Sequence, residues 1–384
     1  VQQQSVVIER KQKININLNF WKKDMVFTIS FLLAGASCLV QTPKLDYVNF
    51  DVMISLFNLM IAIKALEDLK VLDKFAITVL NKSKNYRTVS AILIFLCFVS
   101  SMFVTNDVAL LTFVPLTVII SKKTGMNVID TIILQTIAAN IGSSLTPMGN
   151  PQNLFIFSHY GIKPVSFFAT VLFIAILGIG MLLIFTKKLP KRELEVDLSS
   201  INIANQKEAW VWAIVLAVII ASIFGIISQQ IALVITLLTT LMLNWKLLLK
   251  IDYLLLITFV CFFIFIGNIS STHTVQTVAS AGLDNSTSIF FSSILTSQFI
   301  SNVPAAILLA NFTTDWQPLL LGVNVGGLGT MIASLASVIS FKLFIQAKPL
   351  ETKKYLLKFT IYNVTFLVIL SAFQYFIFEI LGIF

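Results

Sequence analysis

Charge is what this sequence has least of. Asp, Glu, Lys and Arg make up 12% of its 384 residues against 57% apolar ones, and the mean hydropathy is +0.91. A water-soluble fold would have too few polar groups to cover its surface, so soluble enzymes and DNA-binding domains are excluded. Cysteine is nearly as scarce: Cys38, Cys97 and Cys261 lie far apart, each inside an apolar run. With no CxxC pattern they are expected to pack as small hydrophobes. His159 and His273, the two histidines, have no partner at metal-ligand spacing. Neither GxxxxGK(S/T) nor HExxH nor GxSxG occurs, so an ATP motor within the chain and an intramembrane enzyme both lack their chemistry.

What is abundant is apolar sequence of bilayer length, about 20 residues per span. Clear runs cover 25–40, 50–66, 164–185, 209–227, 231–245, 253–269 and 356–384. Runs 88–120 and 286–311 are broken by a polar tripeptide, and runs 128–157 and 319–344 by Gly, Pro, Asn and Thr. The net charge of +9 sits in short clusters between these runs, which is a signature of membrane orientation, so no nucleic-acid partner is expected. Arg10, Lys11, Lys13, Lys22 and Lys23 place the N-terminus in the cytoplasm, as a polar segment over 1–21. The basic residues between Lys70 and Arg87 and the pair Lys122 and Lys123 should both be inside, so 88–120 enters and leaves on one side as a re-entrant hairpin tipped by Thr105-Asn106-Asp107. Lys187, Lys188, Lys191 and Arg192 begin a cytoplasmic linker over 187–208. No basic residue follows Lys250 until Lys342, so 286–311 dips in from outside, tipped by Ser301-Asn302-Val303.

The two halves, 22–186 and 209–384, match. Ser101 to Asp107 pairs with Ser297 to Val303, and Asn140 to Asn150 aligns without a gap on Asn324 to Ser334. Opposite entry sides make this an inverted repeat, which places a substrate site near the bilayer midplane. The expected fold is therefore an all-α polytopic membrane protein with two re-entrant hairpins and two broken transmembrane helices, Asn140, Gly142, Thr146 and Asn324, Gly326, Thr330 marking the breaks. Backbone that leaves a helix at membrane depth survives only where protein, water or ligand meets it. Thr105, Asn106, Ser301 and Asn302 can both donate and accept there, unless they only cap the broken helices. Asp107 faces Val303 in the alignment. An acid at that depth can carry a proton, stay ionised beside a cation, or cap a helix beginning at Val108. Lys64 is expected to snorkel, and Asp130, Asp252 and Glu379 to sit at span ends.

Val104-Thr105-Asn106-Asp107 with Pro115, Thr146-Pro147-Met148-Gly149-Asn150-Pro151-Gln152-Asn153, Ser301-Asn302-Val303-Pro304-Ala305 and Gly326 to Ser334 together resemble the ion transporter superfamily. That group holds divalent anion:sodium symporters, citrate transporters, and arsenite permeases with their sodium/proton antiporter relatives; the likeness is strongest to short bacterial anion or citrate-type members. The resemblance implies sodium sites at Ser101, Thr105, Asn106 and Gly149 and at Ser297, Asn302 and Ala333, with no other cofactor. It implies substrate contacts at Thr105, Asn106, Asp107, Asn150, Ser301, Asn302, Val303 and Ser334. It also implies a homodimer working as an elevator, in which a scaffold (25–66, 164–185, 209–245 and the last span) holds a moving transport domain. Asp107 and Val303 replace the tip threonines of the dicarboxylate branch, and an Asn-Asp tip looks more like the arsenite-permease branch.

The expected function is secondary transport of a small anion, a di- or tricarboxylate or an inorganic oxyanion, coupled to Na⁺ or H⁺ across the cell membrane, with lipid as the other partner. Arsenite-type efflux or cation/proton antiport is the alternative, and a channel would not require two hairpins entering from opposite faces. In a background lacking the three cysteines, Arg87→Cys and Lys122→Cys should both be labelled by an impermeant thiol reagent only from the cytoplasm. Labelling of Lys122→Cys from outside would remove the first hairpin and the inverted repeat with it.

Overall fold

The computed structural model describes residues 25–81, 83, 85–193, 198–272, 276–277 and 282–380. The segment 1–21, Lys22, Lys23, Lys82, Lys84 and His273 lie outside these. Among the described residues there is no β-strand; an isolated bridge joins Asn85 to Glu193. Helix is what an apolar chain forms in lipid, where each backbone N–H and C=O must find a partner within its own segment.

In chain order the helices of the first half are α1 (Met25–Cys38), α2 (Phe50–Asp68), α3 (Val71–Leu80), α4 (Tyr86–Val104), α5 (Asn106–Thr124), α6 (Ile129–Ser143), α7 (Pro151–His159) and α8 (Pro164–Lys187). The second half has α9 (Gln206–Ile223), α10 (Gln229–Leu243), α11 (Tyr253–Ser270), α12 (Ser286–Ile300), α13 (Asn302–Ala310), α14 (Trp316–Gly326), α15 (Leu335–Ala347) and α16 (Thr352–Ile380). Small polar residues begin many of them: Asn85, Asn205, Ser228, Asp252 and Asn285 each accept a backbone N–H of the following first turn.

Five helices among the described residues, α4, α8, α9, α11 and α16, are long and apolar enough to cross a membrane. Their outward faces carry exposed Leu172, Ile176, Leu183, Ile214, Leu357 and Val368, as lipid contact requires. α1 and α10, with 14 and 15 residues, are shorter than a full crossing needs. α4 and α5 have 19 residues each, about 28 Å, so α4 is longer than the first arm expected of the hairpin.

Each hairpin turns on one residue rather than three. Thr105 separates α4 from α5 and Ser301 separates α12 from α13, with φ/ψ of 72/153° and 73/155°. A positive φ is costly for a β-branched threonine, and its recurrence at the matched serine shows that both tips are held in one conformation by their surroundings. Glycine explains how the hairpins sit so close to the broken helices. A Cβ on Gly142 in α6 would meet the Phe98 carbonyl and Ser101 of α4. One on Gly326 in α14 would lie 2.9 Å from Ser297 Cβ of α12, the residue matched to Ser101, and one on Gly322 2.5 Å from Ser293 Cβ.

α8 and α16 pack on each other and against α6 and α14, beside the hairpins; α2, α9 and α10 pack together, with α2 also touching α7. Cys97 and Cys261 are buried as expected, whereas Cys38 is exposed. Lys64 pairs with Glu67 at 3.0 Å, and Asp130 binds Lys358 at 2.7 Å, tying α6 to α16. The linker after α8 is anchored: Asn81 exchanges two hydrogen bonds with Leu198, and Arg87 Nε donates to the Leu189 carbonyl.

Gly142→Ala should lower the unfolding midpoint of the purified protein by the equivalent of about 1–3 kcal/mol, because a methyl there pushes on backbone. Gly35→Ala in α1, with nothing within 4 Å of the added methyl, should leave it unchanged or raise it slightly. Equal effects from the two in a thermal-unfolding assay would show that the α4–α6 approach is not under this constraint.

Candidate functional site

The breaks interrupt α6–α7 and α14–α15 at matched places, each with a single 3-10 turn, Pro147–Gly149 and Met331–Ala333. The first break is buried, so backbone groups freed there must be met by side chains, while the second is partly exposed, with Ile332 outward and Ala333 buried. Thr146 Oγ1 donates to the Met102 carbonyl at 2.5 Å and Thr330 Oγ1 to the Gln298 carbonyl at 3.1 Å, so matched threonines reach matched carbonyls on the neighbouring hairpin. Asn153 Nδ2 lies 3.1–3.3 Å from the carbonyls of Ser143, Ser144 and Thr146 and holds the first break. Gln298 holds the second: its Nε2 donates to the carbonyls of Gly326 and Leu328, and its Oε1 accepts from Thr330 N.

The two halves are then joined to each other. Asn140 Oδ1 accepts from Ser334 Oγ at 3.0 Å, and Asn150 Nδ2 donates to Asn324 Oδ1 at 3.3 Å. Asn140 aligns with Asn324 and Asn150 with Ser334, so these two bonds are one contact made twice. Asn324 Nδ2 also donates to Asn153 Oδ1 at 2.7 Å, and Asn150 Oδ1 caps α7 by accepting Asn153 N.

At the tips the match ends. Asn106 is 6% exposed and fully engaged, its Nδ2 donating to Asn140 Oδ1 at 3.1 Å and its Oδ1 accepting Asp107 N at 3.0 Å. Asn302, 5% exposed, has its Oδ1 3.5 Å from Ser301 Oγ, while its Nδ2 donates to no described group. Asp107 is not the helix cap that the sequence allows. α5 begins at Asn106, two residues earlier than that role requires, with Thr105 in the cap position, and Asp107 Oδ1 is buried without a partner among the described residues.

A cavity of 270 Å³ brings Asn106, Asp107, Ser301, Asn302, Val303 and Ser334 together. Six of the eight expected substrate residues therefore share one space. Thr105 and Asn150 do not line it, and Asn150 belongs to the network just described. Of the expected sodium ligands, Ser101 and Ser297 donate to carbonyls of their own helices, at Phe98 and Ser293, and the Ala333 carbonyl accepts from Ser301 Oγ at 3.3 Å. Gly149 lies against Ser143 with no room for a Cβ. Sequence reasoning missed Gln152, which is 2% exposed and lines the cavity, and the two stitching residues Asn153 and Gln298. Gln152 and Asn153 close the Thr146–Asn153 motif, the one signal that could have singled them out.

A family model described as citrate transporter matches residues 18–326, a stretch that contains both hairpin tips and the first break. The chain belongs to this family. It is 34% identical over 324 residues to the uncharacterized transporter MJ0456 of Methanocaldococcus jannaschii, covering 83% of this chain and 88% of that one. It is 27% identical over 299 residues to the inner membrane protein YbiR of Escherichia coli, covering 77% and 80%. A Dictyostelium discoideum transporter named arsB is 29% identical over 162 residues, 40% of this chain and 27% of that one. The family and these relatives agree with the ion transporter superfamily suggested by the motifs: this is a multi-pass membrane transporter for a small molecule, not an enzyme.

Because Asn140 Oδ1 receives both Asn106 and Ser334, Asn140→Leu strands two buried donors. At about 1–3 kcal/mol for each unsatisfied group, its unfolding midpoint should fall well below that of Asn302→Ala, which strands none. Equal midpoints for the two variants would remove Asn140 from the centre of the network.

Proposed function

We propose that this citrate-family transporter is a secondary active carrier for a small anion, coupled to Na⁺ or H⁺. The observation that carries it is the single cavity at which both hairpin tips and the second break meet, with the first break bonded directly behind it. A channel does not need two matched breaks gathered at one shared space.

On this reading the halves are inverted repeats, and the tips reach the midplane from opposite sides. The repeated tip conformation at Thr105 and Ser301 and the paired bonds Asn140–Ser334 and Asn324–Asn150 support it. The hairpins, broken helices, α8 and α16 move as one body, since they pack together. The group α2, α9 and α10 serves as the elevator's scaffold, through which a homodimer forms in the cell membrane with the N-terminus in the cytoplasm. The substrate lies between Asn302, Ser334 and the first tip, and Asp107 meets the coupling cation. Coupling ions would use Ser101, Thr105, Asn106 and Gly149 in one half and Ser297, Asn302 and Ala333 in the other only after Ser101 and Ser297 turn from their present helix carbonyls. Efflux of a neutral arsenite-type hydroxide is the second reading, favoured by the absence of Lys and Arg from the cavity wall among the described residues.

Uptake into proteoliposomes, measured against imposed sodium and pH gradients, tests this. The chain should concentrate an anion when one of the gradients is present, and Asp107→Asn should lose that dependence while retaining counterflow. Unchanged gradient dependence in Asp107→Asn would remove Asp107 from coupling, and failure to concentrate any anion under either gradient would sink the carrier reading.

A further inference from the structure

Hydrogen-bond donors are in short supply at the cavity. Three hydroxyls in its lining have already given their protons to the protein: Thr258 Oγ1 donates to the Leu254 carbonyl at 2.7 Å, Ser301 Oγ to the Ala333 carbonyl at 3.3 Å and Ser334 Oγ to Asn140 Oδ1 at 3.0 Å. Such an oxygen can still accept from a ligand but has nothing left to donate. Asp107 is the one charged residue of the described lining, and its buried Oδ1 has no partner among the described residues. Gln152, whose amide makes no hydrogen bond among the described residues, and Asn302 each add an acceptor along with a donor, so they do not reverse this balance. Most of the remaining lining is apolar and includes the rings of Phe259 and Phe262 on α11 and of Phe299, 73% exposed, on α12. At 270 Å³ the space falls just below the roughly 300–1,000 Å³ of pockets that hold drug-sized ligands, so its occupant is small.

We propose that the cavity binds a small primary amine as its ammonium ion, the charge paired with the Asp107 carboxylate and the alkyl or aryl body held against the apolar lining. An ammonium group carries donors and no acceptor, which is what a lining rich in acceptors and holding a single acid leaves unmet. Its charge removes the cost of burying that carboxylate unpaired. The body exchanges water for hydrocarbon contact, and aromatic rings accept a cation on their faces. A bare metal ion of the same charge would meet the carboxylate but leave the apolar lining without a partner. This ligand lies outside the carrier reading and does not depend on it; where a coupling cation also uses Asp107, the two compete for the same carboxylate.

The test is ligand-induced thermal stabilisation of the full chain, purified in detergent and sodium-free buffer, with hexylammonium, phenethylammonium, hexyltrimethylammonium, ammonium and hexanoate as probes. Hexylammonium and phenethylammonium should bind roughly tenfold or more tightly than hexyltrimethylammonium, which has charge and body but no N–H, and than ammonium, which has no body. Hexanoate, with the charge reversed, should not stabilise. Asp107→Asn should keep or raise the ligand-free midpoint, since Oδ1 holds nothing among the described residues, yet lose at least about tenfold in hexylammonium affinity. Phe299→Ala, at an exposed ring that costs the fold little, should weaken hexylammonium more than ammonium. No stabilisation by either primary amine, equal binding of hexyltrimethylammonium, stabilisation by hexanoate in preference to hexylammonium, or full hexylammonium affinity in Asp107→Asn or Phe299→Ala would each overturn the proposal. Concentrative uptake of an anion with no amine binding would overturn this ligand class alone, and amine binding with no concentrative uptake of any anion would sink the carrier reading alone.

Discussion

Everything in this molecule answers to a shortage of partners for backbone polar groups. Lipid offers none, so each place where a helix stops inside the protein has to be closed from within. The chain breaks its helices at four such places and closes them with amide and hydroxyl side chains. Asn153 takes three carbonyls of the first break, and Gln298 spans the second from the hairpin side. These two residues are not matched in the alignment, although the threonines they assist are. The halves keep the same backbone geometry by partly different side chains, which is what a packed interior permits as long as the hydrogen bonds are made.

Among the described residues, one buried atom left without a partner, Asp107 Oδ1, lies at the cavity; others, such as both amide atoms of Asn58 and Gln374, lie away from it. Asn106 and Asn302 hold matched positions, yet Asn106 Nδ2 donates to Asn140, whereas Asn302 Nδ2 lies against Gly327 and donates to no described group. Asp107 and Val303 differ outright. The site is therefore acidic at the first tip and uncharged at the second, within a mostly apolar lining. A symmetric frame holds an asymmetric ligand space, because the frame depends on backbone and the ligand space on a few side chains.

Much of this frame was legible in the sequence. Helix followed from apolar runs of bilayer length, and the breaks from Gly, Pro and Asn clusters that no helix in lipid tolerates without purpose. The segments Asn140–Asn150 and Asn324–Ser334, which align without a gap, carry the two reciprocal bonds between halves, a contact that the alignment alone did not specify. Six of eight expected substrate residues meet in one cavity because residues at a shared break must lie near each other. Short-range detail was less legible. Asp107 reads equally well as a cap, and only the start of α5 at Asn106 removes that role.

Composition and pattern alone determined that the chain is helical, crosses lipid and is interrupted at matched positions, because hydrophobic length and backbone satisfaction are local demands. Tertiary structure decided which interrupted ends face one another, that α8 and α16 lie with the hairpins, and that Gln152 is left without a protein partner. Those outcomes depend on contacts between segments as much as 231 residues apart, such as Asn268 on α11 with Ser37 on α1, and a linear pattern does not encode the direction in which a side chain finally points.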